Sequence, residues 1–142
     1  MDTKNIKPKL MAFLLCKNIE PENPDVKVPK TLSGIFDMAF SEGVPSGMDK
    51  FWIFLRFFGG TGNHEIRLVF QSPSGKDLFF KNEHGKEESF PATKFVLASL
   101  ESIHDVSICI RNLILYEFGT YKVRVYLDGN CISEHPLQAI KK

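Results

Sequence analysis

Hydrophobic and polar side chains alternate with a period of two residues over most of the chain. Between Glu65 and Gln71, for example, Ile66, Leu68 and Phe70 occupy every second position. This period is typical of a β-strand that buries one face and exposes the other to water. It predicts seven or eight strands, over residues 10–17, 32–40, 51–58, 65–71, 77–81, 106–115, 121–127 and 132–140.

Turn-forming residues separate these strands. The three prolines between residues 18 and 30 exclude both a β-ladder and a helix, and they predict a loop. Pro73 and Gly75 in the segment SPSGK predict a tight turn. Asp128 and Gly129 predict another in the last hairpin, where Gly129 supplies a positive φ. Many short strands between such turns favour an all-β fold, a two-layer antiparallel β-sandwich.

Residues 84–103 show no clear hydrophobic period. Val96, Leu100 and Ile103 would share one face of a helix, and Thr93 could cap its N-terminus. This spacing allows a short helix near residues 93–102, and a loop is the alternative.

Two residues near the last hairpin suggest a specific kind of sandwich. Gly119 is followed two residues later by Tyr121 at the start of a strand, as at the corner of an immunoglobulin-like sandwich. There the tyrosine hydroxyl bonds back to the backbone, whereas the alternative is an ordinary inward tyrosine. Pro136 cannot donate a ladder hydrogen bond, so it places the last strand at a sheet edge.

The first nine residues differ in composition from the rest of the chain. Residues 1–9 are polar and basic and contain Pro8, which predicts a flexible arm. Residues 10–142 have the length of one ordinary domain, so we predict a single β-sandwich domain.

Charge and cysteine content narrow the choice of partners and location. The chain of 142 residues has 18 basic and 17 acidic side chains, which leaves no global field to hold a phosphate backbone or an anionic membrane. We therefore predict neither nucleic acid nor membrane as a partner. Three cysteines are an odd set in a chain of this length, and they indicate reduced thiols in the cytoplasm. Cys16 lies in an apolar run, which should raise its pKa.

No residue pattern points to catalysis, a cofactor or a metal. The glycine-rich segment GGTGN at residues 59–63 lacks the spacing of a phosphate-binding loop, so we expect a flexible hairpin loop. The four histidines lack metal-ligand spacing, and we expect them to be solvated in loops. No nucleophile motif is present, so an enzyme would need a site assembled only by folding.

Aromatic side chains are unusually frequent on faces that alternation would leave outside. These residues are Trp52, Phe54, Phe58, Phe79 and Tyr126. A large exposed apolar patch on a soluble domain often marks an interface, so we predict that they form an interaction patch. In the alternative, the chain around residues 90–103 covers this face as a second small core. Trp52 or Tyr126 could instead stack on a sugar ring, which would indicate a carbohydrate-binding module.

Four segments occur in an order that resembles a known family. They are LLCKNI, LSGIFDMAF, SPSGK and FGTYKVRVYLDGNCISEHPL. Together they resemble a family of short, uncharacterised bacterial β-sandwich proteins, a domain of unknown function, over roughly residues 10–140. The resemblance implies an antiparallel sandwich in a bacterial cytoplasm and brings no catalytic residue. We therefore predict a non-catalytic binding or structural module that holds a protein partner, or a second copy of itself, through a sheet face or edge strand.

Overall fold

The structure is a computed structural model that describes residues 5–22, 28–78, 80–81, 87–88 and 92–142. For residues 80, 81, 87 and 88 it describes the backbone only. Everything reported below refers to these residues, and Phe79 of the predicted interaction patch lies outside them.

The described residues form β-strands and no helix, so the predicted all-β class is confirmed. The strands are β1 (Lys9–Glu20), β2 (Thr31–Phe36), β3 (Met38–Ser41), β4 (Ser46–Gly47), β5 (Phe51–Phe58), β6 (Gly62–Gln71), β7 (Phe80–Lys81), β8 (Glu87–Glu88), β9 (Thr93–Leu97), β10 (Ile103–Ile110), β11 (Ile114–Leu115), β12 (Gly119–Leu127) and β13 (Asn130–Lys141).

These strands form two main sheets and two short ribbons. The four-stranded sheet has the order β10-β5-β1-β2 and is antiparallel throughout. The five-stranded sheet has the order β3-β13-β12-β6-β9, while β4 pairs with β11 and β7 pairs with β8. The sheets are therefore those expected of the predicted class, with one correction. β3 pairs parallel with β13, so the larger sheet is mixed rather than purely antiparallel.

The chain divides into two compact units, each assembled from separate stretches. The first contains the described residues of 1–36, 50–64 and 95–110, and the second those of 37–49, 65–94 and 111–142. The four-stranded sheet belongs to the first unit. The division predicted from the sequence, an arm followed by one domain, stays a prediction.

Strand β5 is the centre of the four-stranded sheet. One of its faces is completely buried, and it consists of Phe51, Ile53, Leu55 and Phe57, each 0% exposed. Complete burial of a large apolar side chain contributes about 1.5–3 kcal/mol, so this row of four is a major source of stability for the unit. The opposite face carries Trp52, Phe54, Arg56 and Phe58, and we call it the Trp52 face.

The predicted alternation also holds in the larger sheet. The buried residues on β6 are Ile66, Leu68 and Phe70, and those on β12 are Tyr121, Val123, Val125 and Leu127. The residues between them face the other way, so the side predicted to see water is correctly assigned for both strands.

The short helix allowed near residues 93–102 is wrong, because residues 93–97 form strand β9. Phe95 and Leu97 are buried, whereas Val96 between them is 65% exposed, which is a period of two. The ring of Phe95 explains this choice, since it stacks on His104 at a centroid distance of 4.9 Å and lies 5.4 Å from the ring of Phe57. This ring packing favours the extended backbone over the helical spacing.

Two predicted strands are each divided in the structure. The strand predicted at residues 32–40 breaks at Asp37, because β2 pairs with β1 whereas β3 pairs with β13 in the other main sheet. The carbonyl of Asp37 accepts a hydrogen bond of 2.8 Å from the backbone N–H of Gln138 at this switch. The strand predicted at residues 106–115 breaks near Asn112, whose φ of 59° is incompatible with extended backbone.

Pro136 lies on a strand that is an edge over only part of its length. β13 pairs with β12 from Asn130 to Ala139, and Pro136 is opposite Lys122. The short strand β3 covers the other side of β13 only from Gln138 onwards. In the described part of the chain, Pro136 therefore stands where its missing N–H disturbs no ladder, as its chemistry requires.

The predicted N-terminal arm is paired where the structure describes it. The backbone N–H of Thr61 donates to the carbonyl of Ile6 at 2.9 Å, and Lys9 already belongs to β1. The glycine-rich segment predicted to be flexible packs against this stretch. A Cβ on Gly60 would lie 2.6 Å from the carbonyl oxygen of Ile6, and Gly60 also has a φ of 96°. Only glycine fits there.

Tyr121 forms the predicted backbone bond at the corner before β12. Its hydroxyl donates to the carbonyl of Glu117 at 2.8 Å and accepts from the N–H of Glu117 at 3.2 Å. The carboxylate of Glu117 in turn accepts hydrogen bonds from the N–H and the hydroxyl of Ser74, at 2.7 and 3.1 Å. Gly119, with a φ of 132°, leaves room for the ring of Pro73, which a Cβ would approach to 2.9 Å. The corner thus holds the SPSGK turn.

The last hairpin has the predicted turn. Asp128 and Gly129 both have positive φ, 50° and 85°, as a type I′ turn requires. The side chain of Asp128 accepts a 2.8 Å hydrogen bond from the N–H of Glu65, and its own N–H donates to the carbonyl of Glu65 at 2.8 Å. The turn is therefore fixed to the adjacent strand.

Replacing Tyr121 with phenylalanine should destabilise the protein. The variant keeps the buried ring but leaves the Glu117 N–H and C=O without their hydroxyl partner, which costs about 1–3 kcal/mol. Urea unfolding followed by fluorescence would measure the loss. The matched control is Tyr116→Phe, since Tyr116 is 58% exposed and its substitution should change the free energy of unfolding by less than about 0.5 kcal/mol. Equal midpoints for the two variants would contradict the structural role of the corner.

Candidate functional site

Of the described residues of the predicted aromatic patch, Trp52, Phe54 and Phe58 lie on one face of β5, and Tyr126 lies on β12. Trp52 and Phe54 are largely covered, because they pack with Cys16 and Ile19, and with Leu32 from the neighbouring strand. A second small core therefore exists on the Trp52 face, as the alternative interpretation expected. Its described members come from β1, β2 and β5, whereas that interpretation placed the cover near residues 90–103.

Phe58, at the far end of the same face, does remain accessible. It is 43% exposed and lies directly opposite Ile103 of β10, which is 63% exposed. Met11, 60% exposed, stands where the register of β1 shifts between Leu10 and Ala12. On β1, Lys9 is directly opposite Phe58, and Met11 follows Lys9 by two positions. We call Met11, Phe58 and Ile103 the Phe58 patch.

An ion pair borders the Phe58 patch. The guanidinium of Arg56 meets the carboxylate of Asp105 with two bonds, Nε to Oδ1 at 2.8 Å and Nη2 to Oδ2 at 3.0 Å. The hydrogen bond that the guanidinium donates to Asp105 raises the pKa of Arg56 above its usual range. Exposed pairs stabilise folding by about 0–1 kcal/mol. The main effect here is to neutralise Asp105, the carboxylate of strand β10.

Tyr126 belongs to the larger sheet and lines a cavity there. The cavity has a volume of about 410 Å³ and is lined by Glu65, Arg67, Val69, Tyr126 and Gly129. Tyr126 lies opposite Arg67 in the β6–β12 register. The alternation of β6 and β12 places these side chains on the face opposite the buried one.

A second arginine, Arg124, lies two residues before Tyr126 on the same strand. The pKa of Arg124 is raised, chiefly by its hydrogen bond to Tyr126. The guanidinium of Arg124 also pairs with Glu134, with a distance of 3.1 Å from Nε to Oε2. The cavity therefore presents one aromatic ring, one cation and one carboxylate on rigid strands.

Histidines predicted to be solvated are part of the packing. His64 is buried in β6, and its Nε2 lies 2.8 Å from the carbonyl oxygen of Thr61. The ring of His104 stacks on Phe95, with an angle of 8° between the ring planes, and His64 lies 5.8 Å from Phe95 on centroids. The expectation is wrong for these two residues because the flat face of Phe95 accommodates imidazole rings. The signal that could have shown this is the strand character of both segments.

Burial also shifts the protonation of the histidines. Desolvation lowers the pKa of His104, and the neighbouring charge of Asp105 opposes this only in part. Burial likewise lowers the pKa of His135. In the described part of the chain, no group of three or more His, Cys, Asp or Glu side chains is placed to hold a metal ion.

The three cysteines are free thiols in different surroundings. Cys16 is buried, Cys109 is half-buried and Cys131 is exposed. Burial raises the pKa of the Cys16 thiol, as the sequence predicted. Cys16 and Cys109 stand on either side of Trp52 in one row across three strands. The strand between them excludes a disulfide.

Comparison with known proteins gives a family without a known activity. A model of the family of unknown function DUF6941 matches residues 11–140, which confirms the predicted resemblance to an uncharacterised family. No curated protein matches the chain. Within the residues that the structure describes, no helix is long and apolar enough to cross a membrane.

Stability should decrease as the pH falls below 6.5, the ordinary pKa of histidine. The folded-state pKa of His104 is lowered, so the unfolded chain binds a proton first and is favoured until the folded state also protonates. His104→Phe keeps a flat ring on Phe95 and removes this proton site. Between pH 7 and pH 5, urea unfolding should show a smaller decrease in the free energy of unfolding for this variant than for the wild type.

His135→Gln serves as a companion variant, because the pKa of His135 is lowered by the same cause. His135→Gln should also lose less free energy of unfolding between pH 7 and pH 5 than the wild type does. The double variant should lose still less. Parallel stability curves for wild type and His104→Phe over this range would contradict the assignment to His104.

Proposed function

We propose that this chain, which belongs to the DUF6941 family of unknown function, is a non-catalytic protein-binding module that takes its partner along strand β10. The observation that carries the proposal is that β10 is a long sheet edge that no other described strand covers. Because β10 ends the order β10-β5-β1-β2, one side of its backbone has no strand beside it among the described residues. Free N–H and C=O groups on such a side pair readily with another strand.

The regularity of β10 supports this use. The strand has eight residues, and all of them are in unbroken register with β5 from Ile103 opposite Phe58 to Ile110 opposite Phe51. Its sequence, IHDVSICI, contains no proline, glycine or lysine, which are residues that proteins place on edges to prevent pairing. Its carboxylate, Asp105, is neutralised by Arg56.

The other edges of the two main sheets either carry such residues or are very short. On β2, Gly34 has a φ of 69° and interrupts the extended backbone, and a Cβ there would lie 2.8 Å from the side chain of Lys17. β9 has five residues including Lys94, and β3 has only four. The open part of β13 contains Pro136. Among the described edges, β10 is therefore the one suited to accept a strand.

The Phe58 patch adds apolar contact beside this edge. Ile103 projects from β10 itself, and Phe58 and Met11 follow it on the adjoining strands. Exposed apolar side chains next to a free strand provide the desolvated contact that backbone pairing alone lacks. The predicted role of Phe58 in an interaction patch is thus retained in the proposal, without Trp52 and Phe54.

Two further properties belong to the same proposal. The bond between Tyr121 and Glu117 supports an immunoglobulin-like classification, since it is the bond of a tyrosine corner. The three free thiols support a reducing location, which we propose is the cytoplasm of a bacterium.

Site-specific photo-crosslinking in the native host would test the use of β10. With benzoyl-phenylalanine in place of Ile103, we expect one discrete crosslinked species, which mass spectrometry would identify. The control position is Val96, which is 65% exposed on the lysine-bearing edge strand β9 and should give no discrete species. Equal labelling at both positions, or none at Ile103, would refute binding along β10.

The cavity beside Tyr126 favours a second candidate function, carbohydrate binding. A sugar could stack on the ring of Tyr126 in this cavity. Its hydroxyls could form hydrogen bonds with the guanidinium of Arg67 and the carboxylate of Glu65. Trp52 no longer supports this function because it is packed in the second small core.

A glycan array would test the second candidate. If the cavity binds a sugar, the wild type should show specific hits, and Tyr126→Ala should lower their affinity by about tenfold or more, the value of one lost aromatic contact of roughly 1.4 kcal/mol. The control Tyr116→Ala removes an exposed ring elsewhere and should leave the hits unchanged. An array without hits would exclude this function.

A further inference from the structure

We infer that the chain's own second copy is the occupant of β10, paired antiparallel to it about a two-fold axis at Val106. This inference rests on the proposed function and specifies its partner. It joins two four-stranded sheets into one sheet with the order β2-β1-β5-β10-β10-β5-β1-β2.

Two-fold symmetry limits how identical strands can pair. Residues directly opposite each other must have a constant sum of residue numbers, so an axis at Val106 places Ile103 opposite Cys109 and Asp105 opposite Ser107. The overlap extends from Ile103 to Cys109. An antiparallel pair of this length forms on the order of six to eight N–H···O hydrogen bonds.

Other positions of the axis are less favourable. An axis at Asp105 would bring the two Asp105 carboxylates opposite each other, and like charges at opposed positions are destabilising. An axis at Ser107 would place Ile103 opposite Arg111, beyond the end of the strand. The axis at Val106 avoids both conflicts and retains nearly the whole strand.

The side chains that meet in this register are complementary. Ile103 is 63% exposed in the single chain, and its opposite residue would be the half-buried, weakly polar Cys109 of the second copy. By alternation both lie on the Trp52 face, because their β5 partners are Phe58 and Trp52. The contact occurs twice by symmetry, which covers the most exposed apolar side chain of the strand at both ends of the overlap.

This register provides a hydrogen-bond acceptor for the hydroxyl of Ser107. This hydroxyl is buried and has no hydrogen-bond partner among the residues that the structure describes. In the paired strands Ser107 faces Asp105 of the second copy, whose carboxylate oxygens keep free lone pairs after binding Arg56. A rotation about χ1 directs the hydroxyl to that carboxylate, and the symmetry supplies the same bond in reverse.

Charge does not oppose the pairing. The carboxylate of β10 is already paired with Arg56, and the formal net charge of the chain is only +1. The remaining titratable groups of the strand are Cys109 and His104, which stacks on Phe95 away from the Trp52 face. Two copies therefore approach without strong repulsion.

Cysteine crosslinking tests both the partner and the register. Ile103→Cys, made with Cys131→Ser to remove the exposed thiol, should form an interchain disulfide with the native Cys109 under mild oxidation. Opposed residues in antiparallel strands have Cβ atoms about 4.5–5.5 Å apart, close enough for a disulfide after a small adjustment. Within one chain the two cysteines are six residues apart on an extended strand, which prevents bridging.

Two controls isolate this disulfide. Adding Cys109→Ser to the variant should abolish the crosslinked dimer, and Val96→Cys in the same Cys131→Ser background should form none. A crosslink that survives Cys109→Ser would overturn the register, and its absence in the Ile103→Cys variant would overturn the pairing.

Sedimentation velocity at micromolar concentrations gives an independent measurement. The wild type should sediment as a dimer, Ile103→Lys as a folded monomer, and Val96→Lys as a dimer, with circular dichroism to verify folding. A monomeric wild type would overturn self-pairing. If photo-crosslinking at Ile103 then captured a different protein, binding along β10 would stand without the second copy; without any crosslink, both would fail.

Discussion

The complete burial of one face of β5, together with its pairing on both sides, determines the arrangement of the four-stranded sheet. Phe51, Ile53, Leu55 and Phe57 must all face the same apolar interior, which fixes the orientation of the strand. A shift of one residue would turn this whole row to the other face. The registers of β1 and β10 are set by the same constraint, since both pair with β5. The residues displayed along the open side of β10 are thus a consequence of the core.

The fold could be predicted from the sequence wherever one face of a strand is apolar and the other polar. Alternation correctly assigned β6 and β12, including the side of each that is buried. It could not show that residues 32–40 are shared between two sheets, because the period of a strand is the same in either sheet. Val96, Leu100 and Ile103 have helical spacing but are all exposed, and the buried Phe95 and Leu97 on either side of Val96 decide the structure.

The candidate site was predictable only in part, for a related reason. Alternation assigns a side chain to a face, but what covers that face depends on contacts distant in the sequence. Trp52 and Phe54 were expected on a surface and are packed by Cys16 and Ile19, whereas Phe58 on the same strand remains exposed. Glu117 gave no signal at all, because its carboxylate binds Ser74, which is 43 residues away in the chain.

The interruption of β2 at Gly34 has a consequence for the size of any assembly. A sheet that grows by adding identical subunits becomes a fibre unless its end strands are unable to pair with a further subunit. In the proposed dimer both ends of the combined sheet are β2 strands, and each contains Gly34, whose φ is 69° and where a Cβ would lie 2.8 Å from the side chain of Lys17. In the proposed pairing, one edge of the four-stranded sheet accepts a second copy and the other edge does not favour a third, so the assembly would stop at a dimer.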